Sequence, residues 1–398
     1  MTIASGIEKE VRYKKETIYG VAPGSTGSQL LRRTTSSIDL SKETYESDEI
    51  ASHGQIVDMR HGLRSVGGDI NGELSVTTYQ DFFAAALRKA WVAGVNSTAL
   101  TNVTASATAP QFIRASGSWL TDGFKIGDVI QWGGWVATTN NSYNYRITAL
   151  TATDMTVSGT VAAEASGASV TATVQGKKVY APTSGQTSDS FHIEHFFSDI
   201  GQSELFSGLM ISKIDVDLPP TGMGTINLTF IGQDITTDAS EYFTTPATET
   251  TTAVLAAING ALRVNGTDIA TITGLSFTID TGITPGDGCV GSNVIPFIFP
   301  GRIRVSGQFT AYYEDGSLRD NFIDEDEIAI NIKLDATSAD NTECLIFDIP
   351  RIKLSGSSKD DGEKGLIQTV PFTGLLNSDG GDGISTEETT ISIQDTTL

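Results

Sequence analysis

The 398-residue sequence predicts a mainly β protein: an antiparallel β-sandwich or barrel with one packed α-helix, plus a small inserted β domain. Three observations predict it. Run after run alternates apolar and polar residues, the mark of strands with one wet face. A single stretch carries clear helical spacing. The composition changes abruptly at Val95 and changes back near residue 180.

In SVGGDINGELSVTTYQDFFAAALRKAWVAG, Ile70, Gly72 and Leu74 alternate with Asn71 and Glu73, predicting a half-exposed strand. Tyr79, Phe82, Phe83, Ala86, Leu87, Ala90 and Trp91 then recur at three-and-four spacing, one face of a helix that covers a sheet. Thr77 or Thr78 is the expected N-cap, with Gln80 three residues after Thr77 as in a capping box. Arg88 and Lys89 fall in the expected last turn, where a cation complements the helix dipole, and Gly94 offers a stop. Tyr79, Phe82, Phe83, Leu87 and Trp91 form the predicted core stripe.

Residues 95–179 are rich in Ala, Ser, Thr and Val and hold Trp119, Trp132 and Trp135 among short β-like runs such as GDVIQW and NYRITAL. They are read as a small inserted β domain with its own core, interrupting a body made of residues 1–94 and 180–398. Beyond them LMISKIDVDLP, TINLTF, GLSFTID, GRIRVSGQFTAYY, EIAINIKLDA and CLIFDIPRIKLSG alternate strongly. In GRIRVSGQFTAYY the inward set is Ile303, Val305, Phe309, Ala311 and Tyr313. The DDGEKG stretch from Asp360 lacks the ligand spacing of a calcium or phosphate loop and is read as a charged hairpin turn. TTISIQ, near the C-terminus, alternates well enough to add a strand, so of the two readings of this tail, disorder or an arm pairing with a neighbouring chain, the arm is expected.

Charge is uneven. The formal net charge is −22, and residues 181–398 carry 10 basic against 32 acidic side chains while the rest is near neutral. Such a surface repels nucleic acid and excludes ordinary DNA binding. The N-terminus lacks the apolar core of a signal peptide and no run approaches a membrane span, so synthesis in the cytoplasm and no membrane partner are expected. Chemistry is sparse. HIEHFF, with His192 and His195, lacks zinc-helix spacing, and the run Asp324 to Glu327 reads as a solvated turn before a strand. No catalytic residue, metal site or cofactor is expected, and Cys289 and Cys344 read as ordinary core thiols.

The blocks VRYKKETIYGVAPGSTGSQLLRRTTSSIDLSKETYESDEIASHGQIVDMRHGLRSVGGDINGELSVTTYQDFFAAALRKAW and PRIKLSGSSKDDGEKGLIQTVPFTGLL resemble the N-terminal half and the closing segment of phage tail tube (major tail) proteins of long-tailed viruses. ISKIDVDLPPTGMGTINLTFIGQD and NVIPFIFPGRIRVSGQFTAYYEDGSL are similar to intervening parts. The resemblance spans roughly residues 8–94 and 180–377 and skips the insert.

The resemblance implies a structural virion protein whose hexameric rings stack into a tube. Its partners would be itself, other tail proteins (tail tip, terminator, tape measure), and double-stranded DNA that passes without specific binding. From the charge map, outward-facing acids of the 181–398 strands are expected to make the lumen acidic and repel that DNA, with Asp215 and Asp217 as candidate lining acids. The polar stretch Ser41–Gly68 is expected as a protruding inter-subunit loop, with Tyr45, Glu46, Asp48, Glu49, Arg60 and Arg64 as contact candidates. The insert is expected on the tube exterior. Two other function classes compete. One is a virion-surface or secreted adhesin binding carbohydrate, suggested by the tryptophans. The other is an acidic hydrolase, for which no catalytic constellation is present.

Overall fold

A computed structural model describes residues 3–50, 52–264, 267–269, 271–339, 341–363 and 365–398. The organising element is the long strand Gln202–Leu218, which belongs to two sheets. Its second half lies between strands Thr225–Gly232 and Ile272–Asp280. From there antiparallel pairing runs one way to Met59–Glu73. The other way it passes through Arg304–Tyr312, Ile367–Gly374 and Cys344–Leu354 to Glu327–Asp335 and Gly260–Val264. This sheet curls as a half-barrel. Its first half pairs with Phe191–Phe197 and Asp234–Asp238, and Phe191–Phe197 pairs in turn with Lys9–Lys15.

The crossover between sheets is visible in burial. Alternation breaks at residues 208–211, four buried positions in a row, where the strand turns its other face inward. Gly208 makes this bend possible with φ +63°, a left-handed conformation that a side chain strains. A Cβ there would also lie 2.9 Å from the Gln233 side chain and 3.1 Å from the Tyr19 ring.

The helix runs Gln80–Leu87 and is shorter than the aromatic spacing predicts. Tyr79 is its N-cap, without a side-chain cap, because the two threonines are engaged elsewhere. The Thr77 amide donates to Asp395 Oδ2 at 2.7 Å, and Thr78 Oγ1 meets Ser75 and Thr250 hydroxyls at 2.6 Å. Arg88 is the left-handed C-cap with φ 56°, not part of the last turn; its buried guanidinium donates to the carbonyls of Thr281 and Gly301. Phe82 and Phe83 are buried and Leu87 fully so; Phe82 meets Tyr13, Phe191 and Phe230 with ring centroids 4.7–5.6 Å apart. Tyr79 is buried just ahead of the helix, and Trp91 lies beyond it, half-buried, donating from Nε1 to the Gln80 carbonyl. Two further short helices, Trp119–Asp122 and Ser317–Ile323, carry no comparable apolar stripe.

Residues 95–175 build a separate six-stranded sheet, which bridges at Leu100–Val170 and Ala105–Glu164 close on themselves. Trp119, Trp132 and Trp135 are all buried in its core with Phe112 and Tyr145. The chain enters and leaves through a narrow neck, where Val92–Ala93 pairs with Lys177–Lys178.

The C-terminal segment departs from the expectation of an arm. Ser392–Asp395 is a fully buried strand of its own chain, held between Cys344–Leu354 and Lys177–Tyr180. Its alternation is that of an inner strand with polar side chains spent on internal hydrogen bonds. Ser358–Lys359 pairs back on Ile367–Gly374, so the DDGEKG stretch is the tip of a hairpin; Lys364 within it lies outside the described residues.

Candidate functional site

Strand alternation gives the curved sheet two chemically distinct faces. One is the core. On the other, cross-strand register aligns polar residues in rows. One row reads Asn71, Asn227, Asp215, Thr278, Ser306 and Thr373; the next reads Glu73, Thr225, Asp217, Ser276, Gln308 and Pro371. A third contains Asp69, Thr229, Lys213, Asp280 and Arg304. Within these three rows the charged positions are five carboxylates and two cations, set mostly among Ser, Thr, Asn and Gln.

The two predicted acids differ. Asp215 is partly neutralised, with Lys213 Nζ at 2.8 Å and Thr278 Oγ1 donating at 2.6 Å. Asp217 is exposed and has no ion-pair partner among the described residues. A denser acidic region is assembled from two runs that the sequence reads as separate charged turns, Asp324 to Glu327 and the DDGEKG stretch. Glu314, Asp315, Asp320, Asp324, Glu325 and Asp326 surround the Ser317–Ile323 helix, all exposed. Backbone pairing of Tyr313 with Leu366 brings Asp360, Asp361 and Glu363 to the same end of the sheet. These runs are forty residues apart, so only the fold joins them.

The predicted inter-subunit loop is instead a β-ribbon, Asp39–Glu46 paired with Met59–Glu73. Both faces of its outer part are polar, which hides the alternation that marks a strand. Tyr45, Glu46, Asp48, Glu49 and Arg60 are exposed along it; Tyr45 Oη donates to Glu43 and Arg60 pairs with Asp58 at 2.7 Å. Arg64 differs from them. It anchors the base, 2.6 Å from Asp234, while its amide donates to the Asn293 carbonyl.

Polar groups that sequence spacing could not pair lie buried. Glu194 accepts from Ser203 Oγ and from the amides of Tyr242 and Phe243, and Glu16 pairs with His192. His192 and His195 are thus spent on separate internal partners, Glu16 and Ser36. Among the described residues no group of three or more His, Cys, Asp or Glu is placed to hold a metal ion. No helix among them is long and apolar enough to cross a membrane.

The largest such network joins the 95–175 sheet to the body. Lys178 Nζ lies 2.5 Å from Asp128 and 2.9 Å from Glu387. Lys125 donates to the carbonyls of Gly381 and Ile384, and Arg146 to Asn331, which in turn donates to Asp348. Burial opposes the charge on Lys178, yet the two carboxylates outweigh it and raise its pKa. Burial pushes Asp348 up to about 7, against the downward pull of Asn331 and Lys178.

No curated protein matches this chain. A family model described as phage tail tube protein matches residues 6–374, the insert included. With nearly the whole chain covered and a β-rich, antiparallel fold beneath it, the chain belongs to the phage tail tube protein family, structural components of the virion tail.

Proposed function

We propose that this protein forms rings, six subunits each, that stack into a tube through which double-stranded DNA passes, with the polar face of the curved sheet turned to the channel. The observation that carries this reading is that face: hydroxyl and amide side chains with five carboxylates and two cations. Cations along a channel would gain counterion-release free energy at each phosphate and slow the duplex. Carboxylates repel it over ~8–10 Å at cellular salt, and hydroxyls offer no charge to hold it. Asp217 contributes most directly to this repulsion, Asp215 less because Lys213 compensates it.

The 95–179 segment is proposed as an inserted domain on the outside of the tube, and the ribbon as a contact to an adjacent subunit or ring. The acidic end adds repulsion between copies, so assembly should strengthen with ionic strength. Burial of all three insert tryptophans removes the feature that suggested a carbohydrate-binding adhesin.

Electron microscopy of the purified protein tests the reading. Rings or tubes with Asp217 toward the lumen are expected, and Asp217→Lys should slow DNA ejection without preventing assembly. Tubes whose lumen is formed by another face would overturn the assignment.

A further inference from the structure

The end of the hydrophobic core that the helix does not cover opens as a groove of about 360 Å³. Leu218, Ile258, Ala261, Leu262, Ile272 and Leu334 line it, with no charged side chain among its lining residues. Ile258 stands 83% exposed at its lip. On a chain of net charge −22, this is a place where apolar side chains meet solvent without a charge beside them.

A matching apolar projection lies elsewhere on the same chain. Residues 284–299 form a strap closed by pairing of Thr284–Pro285 with Ile298–Phe299. Ile295 and Ile298 pin it to Met210 and Ile283, while Val290, Phe297 and Phe299 point to solvent; Phe297 is 63% exposed. From Gly288 to Gly301 the sequence, GCVGSNVIPFIFPG, has no charged residue. Met210, under the strap, and Leu218, in the groove, are eight residues apart on one strand, roughly 26 Å. The strap therefore does not reach the groove of its own chain.

We propose that the groove is the docking site for the strap of a second copy of this chain, with Val290, Phe297 and Phe299 as the inserted side chains. Charge selects this pairing. Copies repel one another over most of their surface, and the strap from Gly288 onward and the groove lining carry no charge, so contact there escapes most of that penalty. Interface cores are depleted in charge and enriched in aromatic anchors, as here. Because plug and socket are different patches, the contact is head-to-tail, which closes a ring or propagates a stack. The inference rests on the tube reading and supplies it with a specific joint.

The strap carries its own probe, Cys289, whose thiol is exposed on it and not in the core as expected from sequence, unlike the buried Cys344. Under mild oxidation of assembled protein, Ile258→Cys should form an interchain disulfide with Cys289, giving a ladder of covalent multimers. The ladder should vanish in Ile258→Cys/Cys289→Ser. Separately, Phe297→Asp/Phe299→Asp should raise the concentration needed for assembly about 30-fold, the scale of an interface anchor. Ile258→Asp should do the same, and the combination should be no worse than either alone, as expected of one shared contact. These side chains are exposed in the protomer, so circular dichroism should show an unchanged fold. Assembled particles that neither cross-link nor respond to these substitutions would overturn this inference and leave the tube reading standing. A protein that stays monomeric under all salt conditions would overturn both.

Discussion

Two lysine–aspartate pairs in this molecule show how little residue identity says about energetic role. Lys213–Asp215, at 2.8 Å, lies on the polar face with the lysine about half exposed. Lys178–Asp128, at 2.5 Å, lies in the junction between the 95–175 sheet and the body, with both side chains largely withdrawn from water. Water screens the first pair and replaces either partner when it is lost. The second pair has no such substitute, so its charges are tolerable only together. One network serves the surface potential of the molecule and the other its architecture.

The largest expected effect is therefore at the junction. Lys178→Met leaves Asp128 and Glu387 buried without their cation and should cost about 3–5 kcal/mol of stability, measured by denaturant unfolding. Limited proteolysis should then release the 95–175 region first. A loss below about 1 kcal/mol would erase the contrast with the surface pair.

Next is a pH effect from Asp348. Its native pKa of about 7 is above the unfolded value, so the native state keeps a proton that the unfolded chain releases between the two. Its contribution to stability is largest at low pH and is lost as pH rises toward about 7. Asp348→Asn removes that loss, so its melting temperature relative to the parent should climb from pH 5 to pH 8. A constant difference across that range would show that Asp348 does not titrate there. Glu387 acts in the opposite sense. Burial opposes its charge, but Lys178 prevails and lowers its pKa, so its contribution is present at neutral pH and fades in acid.

The smallest expected effect is at the surface pair. Lys213→Ala should change stability by less than about 1 kcal/mol in thermal unfolding. It should nevertheless make the polar face more acidic by freeing Asp215, and Asp217→Lys should move the same potential the other way. Capillary electrophoresis of the folded variants reads the charge change; comparison of DNA ejection rates reads its consequence.

How much of this was legible depended on how local the physics is. Strands such as Thr225–Gly232, Ile272–Asp280 and Arg304–Tyr312 read well because they alternate against one core, and Val305, Phe309 and Ala311 are buried as their pattern implies. The helix was legible in its aromatic stripe but not at its ends, since Thr77 and Asp395 are 318 positions apart and their hydrogen bond displaces the cap. The ribbon was hidden by being polar on both sides; the Ser392–Asp395 strand was legible in its alternation, but its partners, distant in the same chain, were not. On the candidate face, alternation identified Asp215 and Asp217 as outward residues, but the neutralising reach of Lys213 needed side-chain geometry. The buried junction was invisible, because a lysine that finds a carboxylate 209 residues away leaves no spacing to detect.

The Ser392–Asp395 strand touches every part of the protomer that must agree. Gln394 hydrogen-bonds Val129 and Gln175 of the 95–175 region, Asp395 holds Thr77 ahead of the helix, and the backbone joins the Cys344–Leu354 edge. All of these partners leave the ribosome before it does. A growing chain can fold its separate cores early, yet their mutual alignment is settled only when this strand arrives. Arrival of this strand thus becomes the event that fixes how the separate cores sit together, and a chain cut before Ser392 lacks the piece that aligns them.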